Sequence, residues 1–346
     1  MKILSIGTMD GLSNTCLHRH WALEEVAGGK VDTVNTSCAT SLWYRIANRL
    51  FLYGLPTRLP DNKKVNKEII NKIGSENYDI VWIDKGITIN PETLAYIKRK
   101  SPDTVIASYS PDNMALRHNQ SRQYLQCVPL YDYIITNKSY IIDDMWKLGA
   151  KNVIFVNNSY SERFHRPMVL SADDKKEFGC DVGFVGVWEK ERCESVLYLA
   201  KHGIKVKVFG NYKWDKYADY SPNLQIAGHL LYGEDYCKSL CAARISLGFL
   251  RKMNFDRQTT RSVEIPACGG FMLAERTDEH LAMFAEGKEA AYFSSDEELL
   301  EKCLYYLNHE EERKKIAQAG RERCLKSGYG NRNMVKYVLK NVLSGK

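Results

Sequence analysis

Two α/β domains, each built on a parallel sheet, are what this 346-residue sequence predicts. Three observations carry the expectation. Short apolar runs alternate with segments of helical spacing along most of the chain, the pattern of parallel strands joined by crossover helices. The alternation lapses between Asn157 and Cys180, where Arg166-Pro167 and the charged run Asp173-Asp-Lys-Lys-Glu177 interrupt it, and then restarts. The length suits two domains of ordinary size, each with its own core.

In the first half, strands are expected at 2–7, 31–36, 80–85, 104–109, 133–136 and 153–156. Helical spacing fills 17–26 and 65–73 between them. In the second half, strands are expected at 181–186, 205–209, 224–227, 245–250, 271–274 and 290–293, followed by helices at 297–307, 310–324 and 331–343. The expected division is 1–165, 166–328 and a closing helix within 329–346. Ligands of open α/β sheets collect beyond the carboxyl ends of the strands, so a cleft between two such sheets is the default site.

Composition narrows the class. With 44% hydrophobic and 26% charged residues the chain reads as a soluble globular protein. No run approaches the ~18 apolar residues needed to span a bilayer. The N-terminus enters a strand directly, without a signal peptide, so a cytoplasmic protein is expected. The ten cysteines are scattered and never spaced Cys-x-x-Cys, so they read as small core residues, Cys237, Cys241, Cys268 and Cys303 among them. His18-x-His20 has no companion ligands and gives no reason to expect zinc. The net charge of +7 lies mainly in residues 1–170, which hold 21 Lys/Arg against 16 Asp/Glu.

The densest candidate for chemistry is Asn254–Glu275. It begins polar with Asn254, Asp256 and Arg257, passes through Thr259 and Thr260, and turns apolar after Arg261 and Glu264. Thr259 or Thr260 is placed to cap a helix, whose unpaired N–H groups would suit an anion. Ala267-Cys-Gly-Gly270 would end that helix, and Phe271-Met-Leu-Ala274 reads as a buried strand. Donors for phosphates and a carboxylate for ribose hydroxyls would then lie within about one turn. An ordinary helix start with a surface ion pair is the plain alternative.

Other candidates follow strand ends. Gly7-Thr-Met-Asp-Gly11-Leu-Ser-Asn-Thr15 lacks both Gly-x-Gly-x-x-Gly and Gly-Lys-Ser/Thr, so it is neither a dinucleotide fingerprint nor a P-loop. It remains a turn through which a substrate could approach Gly11, or simply a tight connection. Asp112, in Tyr109-Ser-Pro-Asp-Asn113, is placed to orient or deprotonate an acceptor hydroxyl, or to form a turn after the proline. Lys85-Gly86 holds the analogous edge of the preceding strand. In Gly186-Val-Trp-Glu-Lys-Glu-Arg192, Lys190 and Arg192 stand where a diphosphate would lie, or in a solvated first turn.

Segment 42–72 carries seven Lys/Arg against two Asp/Glu, interleaved with Trp43, Tyr44, Phe51 and Tyr53. A helix with its apolar face in the core is the plainest account. Docking on an anionic membrane surface or a lipid-linked acceptor is the second. A nucleic-acid groove is the third and lacks any accompanying motif.

The second half resembles the CgeB-like, spore-maturation-type glycosyltransferases. The likeness rests on Asp181-Val-Gly-Phe-Val-Gly186, on Tyr232–Ala243 leading into Ile245-Ser-Leu, and above all on Asn254-x-Asp256-x-x-Thr-x-Arg261-x-x-Glu264-Ile-Pro-Ala-Cys-Gly-Gly-Phe-Met-Leu. Glu297-Glu-Leu, Tyr305-Tyr-Leu and Ile316-Ala-x-Ala-Gly-Arg321 extend it. Lys85-Gly86-Ile and Tyr109-Ser-Pro-Asp112-Asn fit more loosely. Residues 181–325 are covered well and 1–160 in patches.

The resemblance implies a GT-B fold: two facing Rossmann-like domains, acceptor on the first and nucleotide-sugar on the second, with the closing helix returning to the first. It is also similar to the family-4 retaining transferases with their Glu-x7-Glu pattern. There the second Glu binds ribose, which transfers to Glu264; Asp256 holds the first position as a shorter carboxylate. The diphosphate-binding Arg and Lys of that wider family are matched roughly by Arg192 and Lys190, and Asp112 takes the approximate place of its first-domain His. No Asp-x-Asp occurs. Diphosphate charge would be met by Arg261, Lys190, Arg192 and the helix start at Thr260, with Gly186 beside them, and no cofactor or metal is expected. The implied activity is transfer of a sugar from a UDP, GDP or dTDP donor to a glycan, lipid-linked or protein hydroxyl. A nucleotide-sugar 2-epimerase and a non-catalytic nucleotide-sugar-binding protein are the alternatives.

Overall fold

The computed structural model describes residues 1–37, 41–211 and 213–344. The chain forms two compact units, Met1–Asn157 together with the segment from Asn331 onward, and Asn158–Gly330. The division falls at 157/158, upstream of the 165/166 read from the sequence, for a local reason. The Asn158 amide donates to Gln258 Oε1, Tyr160 pairs with Gly330, and the Ser161 amide donates to His165, so 158–165 is tied into the second unit.

The first unit holds strands β1 Ile3–Gly7, β2 Asp32–Asn35, β3 Ile80–Asp84, β4 Val105–Ser110, β5 Tyr133–Thr136 and β6 Val153–Phe155. They pair in parallel in the order β2-β1-β3-β4-β5-β6. Strands β1, β3 and β4 are buried along their whole length, which is why they read as continuous apolar runs rather than as alternating ones. One face of the sheet packs Leu4, Val81, Ile83 and Ile106 beneath helices Val65–Ser75 and Pro91–Lys100. The other packs Trp82, Ala107 and Tyr109 against helix Thr15–Ala27 and the closing helix Asn331–Leu343. That last helix buries Met334, Val335, Val338, Leu339 and Val342, a spacing of three and four that makes one continuous stripe.

The second unit holds β7 Cys180–Val185, β8 Val206–Phe209, β9 Leu224–Ile226, β10 Ala243–Gly248, β11 Met272–Glu275 and β12 Ala291–Phe293. They too are parallel, in the order β12-β11-β10-β7-β8-β9. Counted within the unit, this is the 3-2-1-4-5-6 arrangement of dinucleotide-binding Rossmann domains, whereas the first unit follows the flavodoxin-like order. The direction of winding reverses between β7 and β10, which places the crevice of this sheet beyond Val185 and Gly248.

Helix Leu42–Leu52 departs from the core-helix expectation. Of its residues only Phe51 is buried, while Leu42, Trp43, Ile46, Leu50 and Leu52 face solvent. Nine of the ten cysteines lie in the described residues; all nine are free thiols, and seven of them are buried.

Candidate nucleotide site at the switch point of the second sheet

The connection after β7 runs through Gly186, whose amide donates to Phe209 and whose carbonyl accepts from Trp214 Nε1 at 3.2 Å. Helix Lys190–Lys201 then begins, and its third residue turns back into the protein. Arg192 is 3% exposed. It donates from Nη2 to Glu189 Oε2 at 3.0 Å and to the Leu250 carbonyl at 3.2 Å, bridging the ends of β7 and β10 across the reversal point. Arg251 Nε reaches the other oxygen of Glu189 at 3.2 Å. Glu275, at the end of β11, accepts from the Leu250 amide at 2.9 Å and pairs with Lys252.

Glu189, Arg192, Lys252 and Glu275 border a cavity of about 330 Å³, lined also by Glu191, Phe249, Arg276 and Asp296, at the lower end of the range for small-molecule sites. Arg276 is fully engaged: it donates to Glu286, Glu298, Ser294 and the Tyr292 carbonyl. Its pairing holds Glu298 down to about 2. Arg192 is the opposite case. Burial, with Arg261 and Arg251 close by, pushes its guanidinium down to about 10 against the pull of Glu189 and Glu275. The Nε atoms of Arg192 and Arg261 are buried and have no hydrogen-bond partner among the described residues. Glu189 thus serves Arg192 and Arg251, Glu275 serves Lys252, and Arg261 stands near Arg192 as a like charge.

The helix carrying Arg261 and Glu264, Arg261–Ala267, starts differently from expectation. Thr260 has helical backbone angles and makes no side-chain cap. Instead Ser262 Oγ accepts from the Thr259 amide at 3.0 Å and meets His280 Nε2 at 2.7 Å. The amides of Ser262, Val263 and Glu264 are taken by the carbonyls of Thr259 and Thr260. The short helix therefore offers little as an anion site. Asp256 lies in the half-buried loop after β10, its amide held by the Arg251 carbonyl. Gly269, in the left-handed region at φ 78°, ends the helix as expected.

Glu264 is 6% exposed. Tyr236 donates to its Oε2 at 2.7 Å, and His165 Nε2 stands 3.6 Å from Oε1. Because His165 Nδ1 accepts from the Ser161 amide, the neutral ring carries its proton on Nε2, toward Glu264. Burial pushes His165 down, with Glu264 opposing, and burial and Glu264 together hold the Tyr236 phenol well above its ordinary range. A carboxylate offers about four acceptor positions, so Glu264 keeps capacity for a ligand hydroxyl. Lys190 is exposed and turns toward Glu194, 3.8 Å away, outside this cluster.

In the first unit the structure brings Lys85 and Asp112 together: Lys85 Nζ donates to Asp112 Oδ2 at 2.5 Å. Lys85 adopts φ 62° and Gly86 φ 53°, a left-handed pair that bends the chain off β3; for a lysine that conformation is strained. Beneath them Arg19 and Asp84 form a buried ion pair. Arg19 Nε is 3.1 Å from Asp84 Oδ1, Trp82 Nε1 donates to Oδ2 at 3.0 Å, and the guanidinium lies 4.1 Å from the centre of the Tyr109 ring. Gly11 turns in the left-handed region in a loop fastened by Asn14, which bonds the Thr8 and Asp10 carbonyls and caps the following helix.

The sequence assigned no role to Glu189, Glu275 or Arg251, although each stands at or just beyond a strand end. His165, Tyr236 and the Arg19–Asp84 pair carried no local signal.

Residues 192–340 match the model of a family described as glycosyl transferase-like. No curated protein matches the chain in sequence. Among solved structures, Anabaena HepE in complex with UDP-glucose is similar over 99% of this chain and 100% of that one, with 11% identity and a TM-score of 0.64. Sucrose-phosphate synthase from Thermosynechococcus elongatus matches over 100% of both chains at 11% identity, TM-score 0.64. The fold is GT-B. A protein from Listeria monocytogenes named as a UDP-N-acetylglucosamine 2-epimerase shares this GT-B likeness over 98% of this chain and 94% of its own, at 12% identity and TM-score 0.56. The GT-B assignment makes the β7/β10 edge the second Rossmann-like domain's natural ligand position.

Proposed function

We propose that the chain is a metal-independent glycosyltransferase that takes a sugar from a nucleoside-diphosphate donor to a hydroxyl of a glycan, lipid-linked or protein acceptor. One observation carries the reading above others: two arginines with buried, unpartnered Nε atoms at the switch point of a Rossmann-like sheet, in a chain whose residues 192–340 match a glycosyl transferase-like family. In this reading Arg192 and Arg261 hold the diphosphate, and Arg251 and Lys252 add to the positive field. As the sugar–phosphate bond breaks, charge accumulates on the departing diphosphate, and donors fixed before the reaction stabilise it without reorganising. Glu264 accepts the ribose hydroxyls, oriented by Tyr236 and His165. Asp112 positions the acceptor hydroxyl beside Lys85, and serves as base if the anomeric configuration inverts. Retention is what the family-4 resemblance implies, and the block from Asn254 to Leu273 supports a CgeB-like member.

Titration calorimetry with UDP, GDP and dTDP tests the donor site. Binding of one of them, weakened at least tenfold in Glu264→Ala and indifferent to EDTA, is the expected result. Absence of binding to all three, or binding untouched in Glu264→Ala, overturns the assignment. The fold likeness to the Listeria protein keeps a second reading, a nucleotide-sugar 2-epimerase. Donor incubated alone separates the two, since only an epimerase interconverts sugars without an acceptor.

A further inference from the structure

The first unit carries a surface that the nucleotide site does not use. Helix Leu42–Leu52 begins at Ser41, whose Oγ accepts from the Tyr44 amide at 3.1 Å, and ends at Tyr53. At 100° per residue, Leu42, Ile46, Leu50, Tyr53 and Trp43 fall on one stripe, and Phe51 lies on the opposite side. A helix in an ordinary domain buries such a stripe. Here the order is inverted: Phe51 is 3% exposed, whereas Leu42 is 69%, Trp43 74% and Tyr53 74% exposed. The buried side seats on the turn Arg117–Asn119, with Gly54 against the Arg117 side chain. The helix is therefore fixed in place with its apolar stripe outward.

Charge says what the stripe faces. Arg45 and Arg49, both exposed, run along one flank of it. Exposed Arg58, Lys63, Lys64 and Arg117 surround the helix, and Asn62 Nδ2 holds the Lys63-Lys64 turn to its start through Ser41 Oγ at 3.0 Å. Between Asp32 and Asp61 the sequence has no acidic residue at all. Exposed Leu55 and Pro56 continue the apolar surface beyond Tyr53. An apolar stripe with Trp and Tyr at its ends and cations along its edge matches the layered chemistry of a bilayer surface: acyl chains, interfacial aromatics, anionic headgroups. No described helix is long and apolar enough to cross a membrane, so contact would be in the plane of the interface.

We propose that helix Leu42–Leu52, with the basic residues around it, docks the protein on an anionic lipid surface, Trp43, Ile46 and Leu50 entering the acyl boundary while Arg45 and Arg49 pair with headgroups. This binding is independent of sugar transfer, so it stands or falls separately from the reading of the nucleotide site. Each arginine near such a surface contributes roughly fivefold in affinity, and the buried apolar side chains supply a part that salt does not screen.

The test is co-sedimentation of the full chain with phosphatidylcholine vesicles, with and without phosphatidylglycerol, at low and high salt. The parent protein should partition onto the anionic vesicles and leave the neutral ones. Arg45→Glu/Arg49→Glu should weaken this at least tenfold. Trp43→Ser/Ile46→Ser/Leu50→Ser should abolish the binding that survives high salt, with the far-UV spectrum and melting unchanged because all three side chains are exposed. Equal recovery with neutral and anionic vesicles, or variants that bind like the parent, would overturn the proposal. So would self-association without lipid that Ile46→Ser abolishes, since that outcome gives the stripe to a second copy of the chain.

Discussion

The carboxyl edges of the two sheets make an instructive contrast. Both carry arginines, lysines and carboxylates at the ends of parallel strands, yet the charges are arranged oppositely. In the first unit they are matched in pairs: Arg19 with Asp84, buried, and Lys85 with Asp112, half-exposed. In the second unit Glu189 is shared by Arg192 and Arg251, Glu275 takes Lys252, and Arg192 is pushed down to about 10 by burial and by Arg261 and Arg251 nearby. A balanced edge has no reason to attract an anion and suits a neutral hydroxyl. Guanidinium groups held side by side, as Arg192 is with Arg261 and Arg251, repel one another until an anion arrives. The difference is what the proposed function draws on when it gives the phosphate to the second unit and the acceptor to the first.

The largest effect expected from disturbing this arrangement is at the buried pair. Asp84→Ala leaves the Arg19 guanidinium charged and buried, since Asp84 is the group that offsets the cost of its burial. The loss should be about 3–5 kcal/mol of stability, read as a fall in the denaturation midpoint. Replacing both partners by apolar side chains, Arg19→Met with Asp84→Leu, should recover much of it. If Asp84→Ala cost no more than an exposed substitution, the first edge would not be a matched buried pair and the contrast would lose one side.

The second edge should respond in the opposite sense. Arg261→Ala removes a like charge from beside Arg192, so the ligand-free protein should melt no lower than the parent. Affinity for the nucleoside diphosphate should fall roughly ten- to hundredfold, the weight of one charge-assisted hydrogen bond of about 1.5–3 kcal/mol. Calorimetry reads the affinity and a thermal melt the stability. A destabilised Arg261→Ala with unaltered nucleotide affinity would mean that the guanidinium is a structural tie and not part of a ligand site.

Smaller in stability, and confined to turnover, is the exposed pair of the first unit. Asp112→Asn should shift stability by less than about 1 kcal/mol, because the pair is partly solvated. It should leave nucleotide affinity unchanged and lower transfer to the acceptor by about a hundredfold or more, the usual weight of a positioned acid–base group. Steady-state kinetics at saturating donor, set beside calorimetry, separates the two quantities. Full turnover in Asp112→Asn would move the acceptor elsewhere.

How much of this was legible in the sequence follows from the range of the interactions. Parallel strands buried on both faces are continuous apolar runs, so β1, β3, β4, β7 and β10 stood out, and the closing helix announced itself by its three-four spacing. Strand ends located Arg192, Lys85 and Asp112, because loops beyond carboxyl ends are short. Partnership was not legible. Arg19 and Asp84 are 65 residues apart, Tyr236 and Glu264 are 28 apart, and nothing in either neighbourhood names the other. Helix Leu42–Leu52 shows a different limit: periodicity reports that one face is apolar, never what covers it. At Thr260 a local rule yielded to its surroundings, since the Thr259 and Thr260 carbonyls take the first-turn amides and Ser262, held by His280, accepts from the Thr259 amide.

The smallest expected effect concerns acid. His165 and His280 are both in the second unit, buried, and pushed below the ordinary imidazole value of 6.5 mainly by burial. The unfolded chain therefore binds protons at a pH where the folded unit does not. Stability rises with pH through the region just below 6.5 and is lost as pH falls through it, at a slope of at most about 1.4 kcal/mol per pH unit for each histidine. His165→Asn should remove its share of that slope while leaving the first unit's Arg19–Asp84 pair untouched. Denaturant midpoints measured across the acid limb for parent and variant decide it, and parallel curves would show that His165 takes up its proton in the folded protein as readily as in the unfolded chain.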